Sequence, residues 1–244
     1  MKNRIIIFST MFGLTFSGMA QPSTQDVITI PRSKVLVETV LTKEEQRALT
    51  PEEVLQMLRA GNERFVRSDL TARDHSIQIR ESVEGQYPKA IVLSCVDSRV
   101  PVEDVFDKGI GDIFVARIAG NFINEDILGS MEFATKVAGA KMILVMGHES
   151  CGAVHAAIDG AELGNITNML QKIKPAVDMS TQTEGPRTSA NRLFVHEVIE
   201  NNVRLALENI LEQSPILREM HSRGEIDILG AVYDMDTGVV NFLP

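Results

Sequence analysis

Three short and largely apolar segments with the pattern of strands lie in the middle of this chain, and helical segments separate them. The runs are Ala90 to Ser94, Asp112 to Ile118 and Lys141 to Gly147, and the intervening segments predict helices at Val102 to Phe106 and at Ile127 to Val137. Continuous apolar strands that alternate with helices are typical of a parallel sheet that is covered on both faces. The sequence therefore predicts an α/β fold with a mostly parallel central sheet flanked by helices.

The remaining segments predict further helices and a closing hairpin. A helix starts at Thr50, because threonine is a good N-cap and Pro51 and the two following glutamates suit the first turn. Further elements are expected as helices at Gly152 to Ile158, Ile166 to Val177 and Asn191 to Leu211, and as strands at Ile226 to Tyr233 and Val239 to Leu243. The last two strands form the predicted C-terminal hairpin, and its first strand is expected to extend the main sheet.

Residues 1–20 have the pattern of a secretory signal peptide. Lys2 and Arg4 precede an apolar stretch from Ile5 to Phe16, and the small residues before position 21 predict cleavage after Ala20. A membrane anchor is less favoured because it needs roughly 20 apolar residues. We therefore expect an exported protein, periplasmic and free of the membrane after cleavage.

The rest of the chain is expected to form one domain with an extension. Residues 21–48 are polar, contain Pro22 and Pro31, and are predicted to be an N-terminal helical arm; residues 49–244 are predicted to be a single zinc-dependent catalytic domain. A hydrophobic share of 44% in 244 residues is enough for one sizeable core. The net charge of -9 argues against nucleic acid and anionic membrane surfaces as partners.

Soft metal ligands follow two of the predicted strands. Cys95 comes directly after the first apolar run, and His148 and Cys151 come directly after the third. The carboxyl ends of parallel strands meet at one edge of a sheet, so these side chains are expected to lie together. Thiolate with imidazole is the ligand set that zinc prefers, and three protein ligands leave a fourth position for water. The pattern predicts a catalytic zinc site.

A disulfide is the alternative for these cysteines. The chain has only two cysteines, and in an exported protein two cysteines are ordinarily read as a bridge. Their positions at strand ends, with His148 three residues before Cys151, favour a metal site. A thiol oxidoreductase is excluded by the lack of a Cys-x-x-Cys motif.

Asp97 and Arg99 lie immediately after the first ligand. A carboxylate at this position can bind the metal or accept a hydrogen bond from a metal-bound water, and the neighbouring arginine keeps it ionised. We predict that Asp97 and Arg99 are the catalytic pair.

The two motifs together resemble the β-class carbonic anhydrases. These motifs are Cys95-Val96-Asp97-Ser98-Arg99 and His148-Glu149-Ser150-Cys151-Gly152, and the resemblance covers roughly Thr50 to Leu243, including Gly61 to Phe65 and Phe114 to Asn121. It implies the β-carbonic anhydrase fold, in an exported bacterial form, and carbonate dehydratase activity. The reaction is the reversible hydration of carbon dioxide to bicarbonate and a proton by zinc-bound hydroxide, with Asp97 accepting a hydrogen bond from that hydroxide.

The resemblance also implies a substrate pocket and an oligomer. The matching pocket positions are Gln86, Phe114, Ala119, Phe133 and Gly152. In the family this pocket combines groups from two subunits, which implies at least a homodimer and allows a homotetramer. One subgroup closes its zinc with the aspartate equivalent to Asp97 and uses a tryptophan in an inhibitory bicarbonate site. This chain has no tryptophan and carries Gln86, so we expect the open form, with Asp97 as a fourth ligand only in a closed form.

Two other functions remain open at the level of sequence. A related enzyme could hydrolyse carbon disulfide or carbonyl sulfide with the same metal centre. A non-catalytic zinc-binding protein would instead need a fourth protein ligand.

Overall fold

A computed structural model describes residues 40–181 and 184–244 of the chain. The predicted signal peptide and residues 21–39 of the predicted arm therefore lie outside the described residues. The described residues form one five-stranded sheet of order β2-β1-β3-β4-β5. The strands are β1 (Ala90–Ser94), β2 (Ile113–Arg117), β3 (Met142–His148), β4 (Asp227–Tyr233) and β5 (Val240–Phe242).

The strand directions confirm the predicted α/β architecture. Strands β1 to β4 pair in parallel, and β5 pairs antiparallel with β4 as the C-terminal hairpin. The helices are α1 (Lys43–Ala48), α2 (Pro51–Val66), α3 (His75–Glu81), α4 (Val102–Val105), α5 (Glu125–Glu132), α6 (Gly152–Ile158), α7 (Gly164–Leu170), α8 (Lys174–Met179), α9 (Arg192–Gln213) and α10 (Pro215–Ser222). A π-helical segment, Phe133–Val137, continues directly from α5.

The sheet is buried because its strands are apolar on both faces. Every residue of β1 and β3 is buried, whereas β2 at the edge is half-buried. On one face Leu93 and Val145 pack against α5, α9 and α10. On the other face Val92 and Leu144 pack against α2 and α4. The alternation of side chains along each strand thus produces two separate apolar layers.

Helix boundaries differ from the sequence prediction where proline or a cap was overlooked. A single helix from Ile166 to Val177 was expected, but the structure has α7 and α8 with a turn between them. Pro175 lies in the first turn of α8, where its missing N–H is not needed, and a continuous helix would have placed it in the interior. Helix α10 was not predicted, although Ser214 caps it and Pro215 begins it.

The amino-terminal helices are held by capping and by one buried side chain. Thr50 and Glu53 form the capping box that starts α2, as the sequence indicated. Helix α1 covers the last residues of the predicted arm, and its Gln46 is buried, donating hydrogen bonds to the carbonyls of Pro88 and Ala138.

Among the described residues, no helix is both long and apolar enough to cross a membrane.

Candidate metal centre

The parallel pairing of β1 and β3 brings the three candidate ligands together. Cys95 follows β1, His148 is the last residue of β3, and Cys151 is the N-cap of α6. Their ligand atoms all lie within 4.8 Å of one another, and all three residues are buried. The two sulfurs are 3.9 Å apart, and the described residues contain both cysteines as free thiols. A disulfide would need a sulfur separation of about 2.05 Å.

The imidazole of His148 is oriented by the residue that follows it. Nδ1 lies 2.8 Å from the backbone carbonyl of Glu149, so this nitrogen is the donor and Nε2 keeps its lone pair. Nε2 is buried and has no hydrogen-bond partner among the described residues. Leaving a buried acceptor unpaired costs about 1–3 kcal/mol, and a metal ion beside it would remove this cost. Together with two sulfurs, this donor set fits zinc.

The two thiols titrate as a pair. The pKa of Cys95 falls to about 4, chiefly because Cys151 donates a hydrogen bond to its sulfur, while burial acts in the opposite direction. The same hydrogen bond, together with burial, raises the pKa of Cys151. The hydrogen bond between the sulfurs thus favours a thiolate at Cys95, and a thiolate is the form of cysteine that binds metal ions.

The short turn between His148 and Cys151 is strained. Ser150 has a φ of 54°, in the left-handed region that residues other than glycine rarely adopt. This conformation reverses the chain so that two ligands three residues apart face the same point. Arg99 supports the turn by donating a hydrogen bond from Nη2 to the Ser150 carbonyl at 3.2 Å.

Asp97 lies beside the ligands and is held by Arg99. The guanidinium donates from Nε to Oδ1 at 2.9 Å and from Nη2 to Oδ2 at 2.8 Å, and the Arg99 backbone N–H also donates to Oδ1. These hydrogen bonds hold the pKa of Asp97 well below its usual range. Oδ2 is 3.9 Å from His148 Nε2, so an ionised carboxylate borders the position that a metal would take.

Arg117 is a residue of this site that the sequence reasoning missed. From the end of β2 it donates hydrogen bonds to the carbonyls of Cys95 at 3.1 Å, Asp97 at 3.2 Å, and Val100. It thereby fixes the loop that carries the first candidate ligand and the predicted catalytic pair, Asp97 and Arg99. Its place at the carboxyl end of a strand beside β1 was the signal that could have identified it.

The two predicted pocket phenylalanines contact each other. The rings of Phe114 and Phe133 pack edge to face with centroids 6.1 Å apart. They line a cleft of about 560 Å³ with Ile91 and Ala116. Phe133 is 49% exposed, so one side of this aromatic pair is open to a ligand or to another subunit.

The other predicted pocket residues are distributed over both ends of the sheet. Ala119 is half-buried in the turn that follows β2, and Gly152 is exposed as the first residue of α6. Gln86 precedes β1 and shares a hollow with Ile110. A five-residue strand spans roughly 17 Å, so within one chain Gln86 is not brought to Cys95 at the far end of β1.

Comparisons with known proteins agree with this geometry. A family model described as carbonic anhydrase matches residues 90–240. Carbonic anhydrase 2 of Mycobacterium tuberculosis is 35% identical over 187 residues, which cover 74% of this chain and 87% of that protein. The carbonic anhydrase of Mycolicibacterium smegmatis is 33% identical over 189 residues, which cover 75% of this chain and 88% of that protein.

A solved structure shares the fold. The crystal structure of the β-carbonic anhydrase CafA of Aspergillus fumigatus matches with a TM-score of 0.62 and 26% identity, covering 69% of this chain and 81% of that chain. The chain therefore belongs to the carbonic anhydrase family and has the fold of its β-class.

Proposed function

We propose that this chain catalyses the reversible hydration of carbon dioxide to bicarbonate and a proton, with zinc held by Cys95, His148 and Cys151. One observation carries the proposal: two sulfurs and an unpaired imidazole nitrogen lie within 4.8 Å of one another, with an ionised aspartate at their edge. Membership of the carbonic anhydrase family supports the same reaction.

The metal would supply the nucleophile. Zinc bound to three protein ligands lowers the pKa of a water molecule toward neutrality, which makes attack on carbon dioxide feasible at physiological pH. Asp97 accepts a hydrogen bond at the attacking oxygen and so orients the lone pair toward the substrate. Arg99 keeps Asp97 ionised, because its guanidinium donates to both carboxylate oxygens.

The hydrogen bonds of Asp97 favour the open form of the site. Oδ2 accepts a hydrogen bond from Arg99, so ligation of a metal by this oxygen would compete with the ion pair. We propose that Asp97 ligates the metal only in a closed form, and that water takes the fourth position otherwise.

The substrate pocket is proposed to be shared between two copies of the chain, with a homodimer as the minimum assembly and a homotetramer as a larger one. Gln86 and Cys95 lie at opposite ends of β1, which supports a pocket that takes Gln86 from the second copy. Phe114, Ala119, Phe133 and Gly152 would complete the pocket from the apolar side. A half-exposed Phe133 next to the edge strand β2 is suited to such an interface.

Complementation tests the shared pocket. Gln86→Ala and Cys95→Ser proteins are prepared separately, then unfolded, mixed and refolded together. A mixed dimer contains one pocket with an intact metal site from the first chain and an intact Gln86 from the second. We expect the mixture to exceed the summed activities of the two variants. Merely additive activity in a dimer shown by native mass spectrometry to be mixed would refute the shared pocket.

The reaction itself is tested by stopped-flow hydration of carbon dioxide, with zinc content measured on the same preparation and Asp97→Asn as control. We expect fast turnover at one zinc per chain, largely lost in the variant. One zinc per chain without turnover at pH 8 or above would instead support the two alternatives. Release of sulfide from carbon disulfide or carbonyl sulfide would then identify the protein as the hydrolase. If no sulfide is released either, the protein would be the non-catalytic zinc-binding protein.

We further propose that the protein is exported and that its mature form starts at Gln21. The pattern of Lys2, Arg4 and the apolar stretch up to Phe16 supports this. Amino-terminal sequencing of the protein from a periplasmic fraction is expected to begin at residue 21. An intact amino terminus in the cytoplasmic fraction would contradict export.

A further inference from the structure

A tight turn connects β2 to the metal centre. Gly120 and Asn121 have φ angles of 83° and 40°, and the Asn121 N–H closes the turn on the Ile118 carbonyl at 3.0 Å. Glycine adopts the left-handed region without steric cost, and asparagine is one of the few other residues that visit it. Contacts around the turn help to hold both residues in this conformation.

The turn directs a backbone amide at a candidate ligand. The Gly120 N–H donates to Cys95 Sγ at 3.3 Å, in a buried position. A Cβ at position 120 would overlap the side chain of Ile173, so the backbone can approach the sulfur this closely only as glycine. Hydrogen bonding of an amide to a thiolate stabilises the charge on sulfur and reduces its donation to a bound metal.

A distant asparagine holds this turn from the other side. Asn202, in the middle of α9 and only 2% exposed, donates from Nδ2 to the Gly120 carbonyl at 2.8 Å. Its neighbour Asn201 makes a hydrogen bond of similar length to Ser180 Oγ, away from the metal ligands. The two adjacent asparagines therefore differ in what they support and provide a matched pair for experiment.

We propose that Asn202 is a positioning residue of the metal centre, acting through Gly120 to keep the amide hydrogen bond on the Cys95 sulfur. The proposal rests on the proposed binding of a metal by Cys95, His148 and Cys151. Without Asn202 the Gly120–Asn121 peptide loses its anchor, so Gly120 can shift and its N–H can move away from the sulfur, which then donates more charge to the metal. The metal then becomes a weaker Lewis acid and its binding site is less well ordered.

Cobalt substitution tests this in the full protein, without depending on turnover. Co²⁺ is bound to the wild type, Asn202→Ala and Asn201→Ala, and the sulfur-to-cobalt charge-transfer absorption is recorded. We expect this band to move to longer wavelength in Asn202→Ala and to stay unchanged in Asn201→Ala. We also expect zinc affinity, measured by competition with a chelator, to fall by about tenfold or more in Asn202→Ala only.

The outcomes separate the two proposals. Failure of the wild type to bind Co²⁺ or Zn²⁺ would overturn the metal site and this inference together. If the wild type binds metal but Asn202→Ala has an unchanged band and unchanged zinc affinity, only the role of Asn202 is wrong. Asn202→Ser, which retains a shorter donor, replaces Asn202→Ala if that protein does not fold, and should show a smaller shift in the same direction.

Discussion

Two aspartate–arginine clusters in this molecule look alike in charge but differ in surroundings. At the carboxyl edge of the sheet, Asp97 is paired with Arg99 and has a side chain that is 16% exposed. After α4, Asp107 is completely buried and accepts hydrogen bonds from Arg64 and Arg73. Thr71 also donates to Asp107, through both its backbone N–H and its hydroxyl.

The two carboxylates differ in the groups that lie next to their oxygens. Asp107 is surrounded by donors from α2 and from the segment after it, so its oxygens are used in holding those segments together. Asp97 Oδ2 instead lies 3.9 Å from the unpaired Nε2 of His148, beside the space for a metal and its substrate. The same ion-pair chemistry is therefore structural in one place and is proposed to be catalytic in the other.

The largest expected effect is the loss of activity when Asp97 is replaced. Asp97→Asn is expected to reduce kcat/KM for carbon dioxide hydration about 10³-fold, because an amide is a poor acceptor at the attacking oxygen and offers a donor instead. Stopped-flow kinetics on zinc-loaded protein measures the loss. Thermal unfolding should be nearly unchanged, since the pair is partly exposed. A variant with more than a tenth of the wild-type kcat/KM would contradict the proposed role of Asp97.

Replacing Asp107 should instead lower the stability of the protein. Asp107→Asn is expected to lower the free energy of unfolding by about 3 kcal/mol, because it removes a buried carboxylate charge that accepts hydrogen bonds from Arg64 and Arg73. Urea unfolding monitored by circular dichroism measures this. The folded fraction should keep kcat/KM within about twofold, because the rate enhancement of acid–base catalysis comes from groups at the reacting centre. Loss of activity without loss of stability would mean that Asp107 serves the reaction.

Lowering the pH should remove the stabilisation that the Asp107 carboxylate provides. Burial raises the pKa of Asp107, but the hydrogen bonds from Thr71, Arg64 and Arg73 outweigh it and hold the pKa at about 2, below the ordinary 3.8. The stabilisation is therefore complete above pH 4 and is lost as the pH falls toward 2. It corresponds to about 2 kcal/mol. We expect the stability difference between metal-free wild type and Asp107→Asn to shrink by this amount between pH 5 and 2. A constant difference would show that the carboxylate keeps its ordinary pKa.

The smallest expected effect distinguishes charge from geometry. Arg99→Lys keeps the positive charge but loses the two parallel hydrogen bonds to Asp97 and the bond to Ser150. We expect kcat/KM to fall about tenfold with little change in unfolding, since Arg99 is 55% exposed at its side chain. Arg64→Lys is the matched control and should change stability without changing kcat/KM. Equal activity losses in both variants would remove the distinction between the clusters.

Much of the fold was predictable because its signals are local. The bounds of β1 and α6 agree with the predicted Ala90 to Ser94 and Gly152 to Ile158. Apolar runs and N-caps depend on neighbouring residues, so they can be read directly from the chain. The split between α7 and α8 was also local, in Pro175, but the apolar spacing on either side concealed it.

The candidate site was predictable only in its chemistry. Cys95, His148, Cys151, Asp97 and Arg99 lie in two short segments, and a parallel sheet brings such segments to one edge. Their catalytic roles stay predictions. Arg117 was missed although its place at the carboxyl end of a strand was a signal. The roles of Gly120 and Asn202 could not be recognised, because a hydrogen bond to a carbonyl or sulfur leaves no pattern in the sequence.

The sequence by itself determined the α/β class, the donor atoms available for a metal and the presence of a carboxylate next to them. These properties follow from residue type and from spacing along one strand or helix. Tertiary structure alone decided that the three donors approach within 4.8 Å, that Asp97 borders them while Asp107 is enclosed, and that Asn202 supports Gly120. The reason is physical: such contacts join segments tens of residues apart, and their distances and directions exist only after the apolar layers have packed.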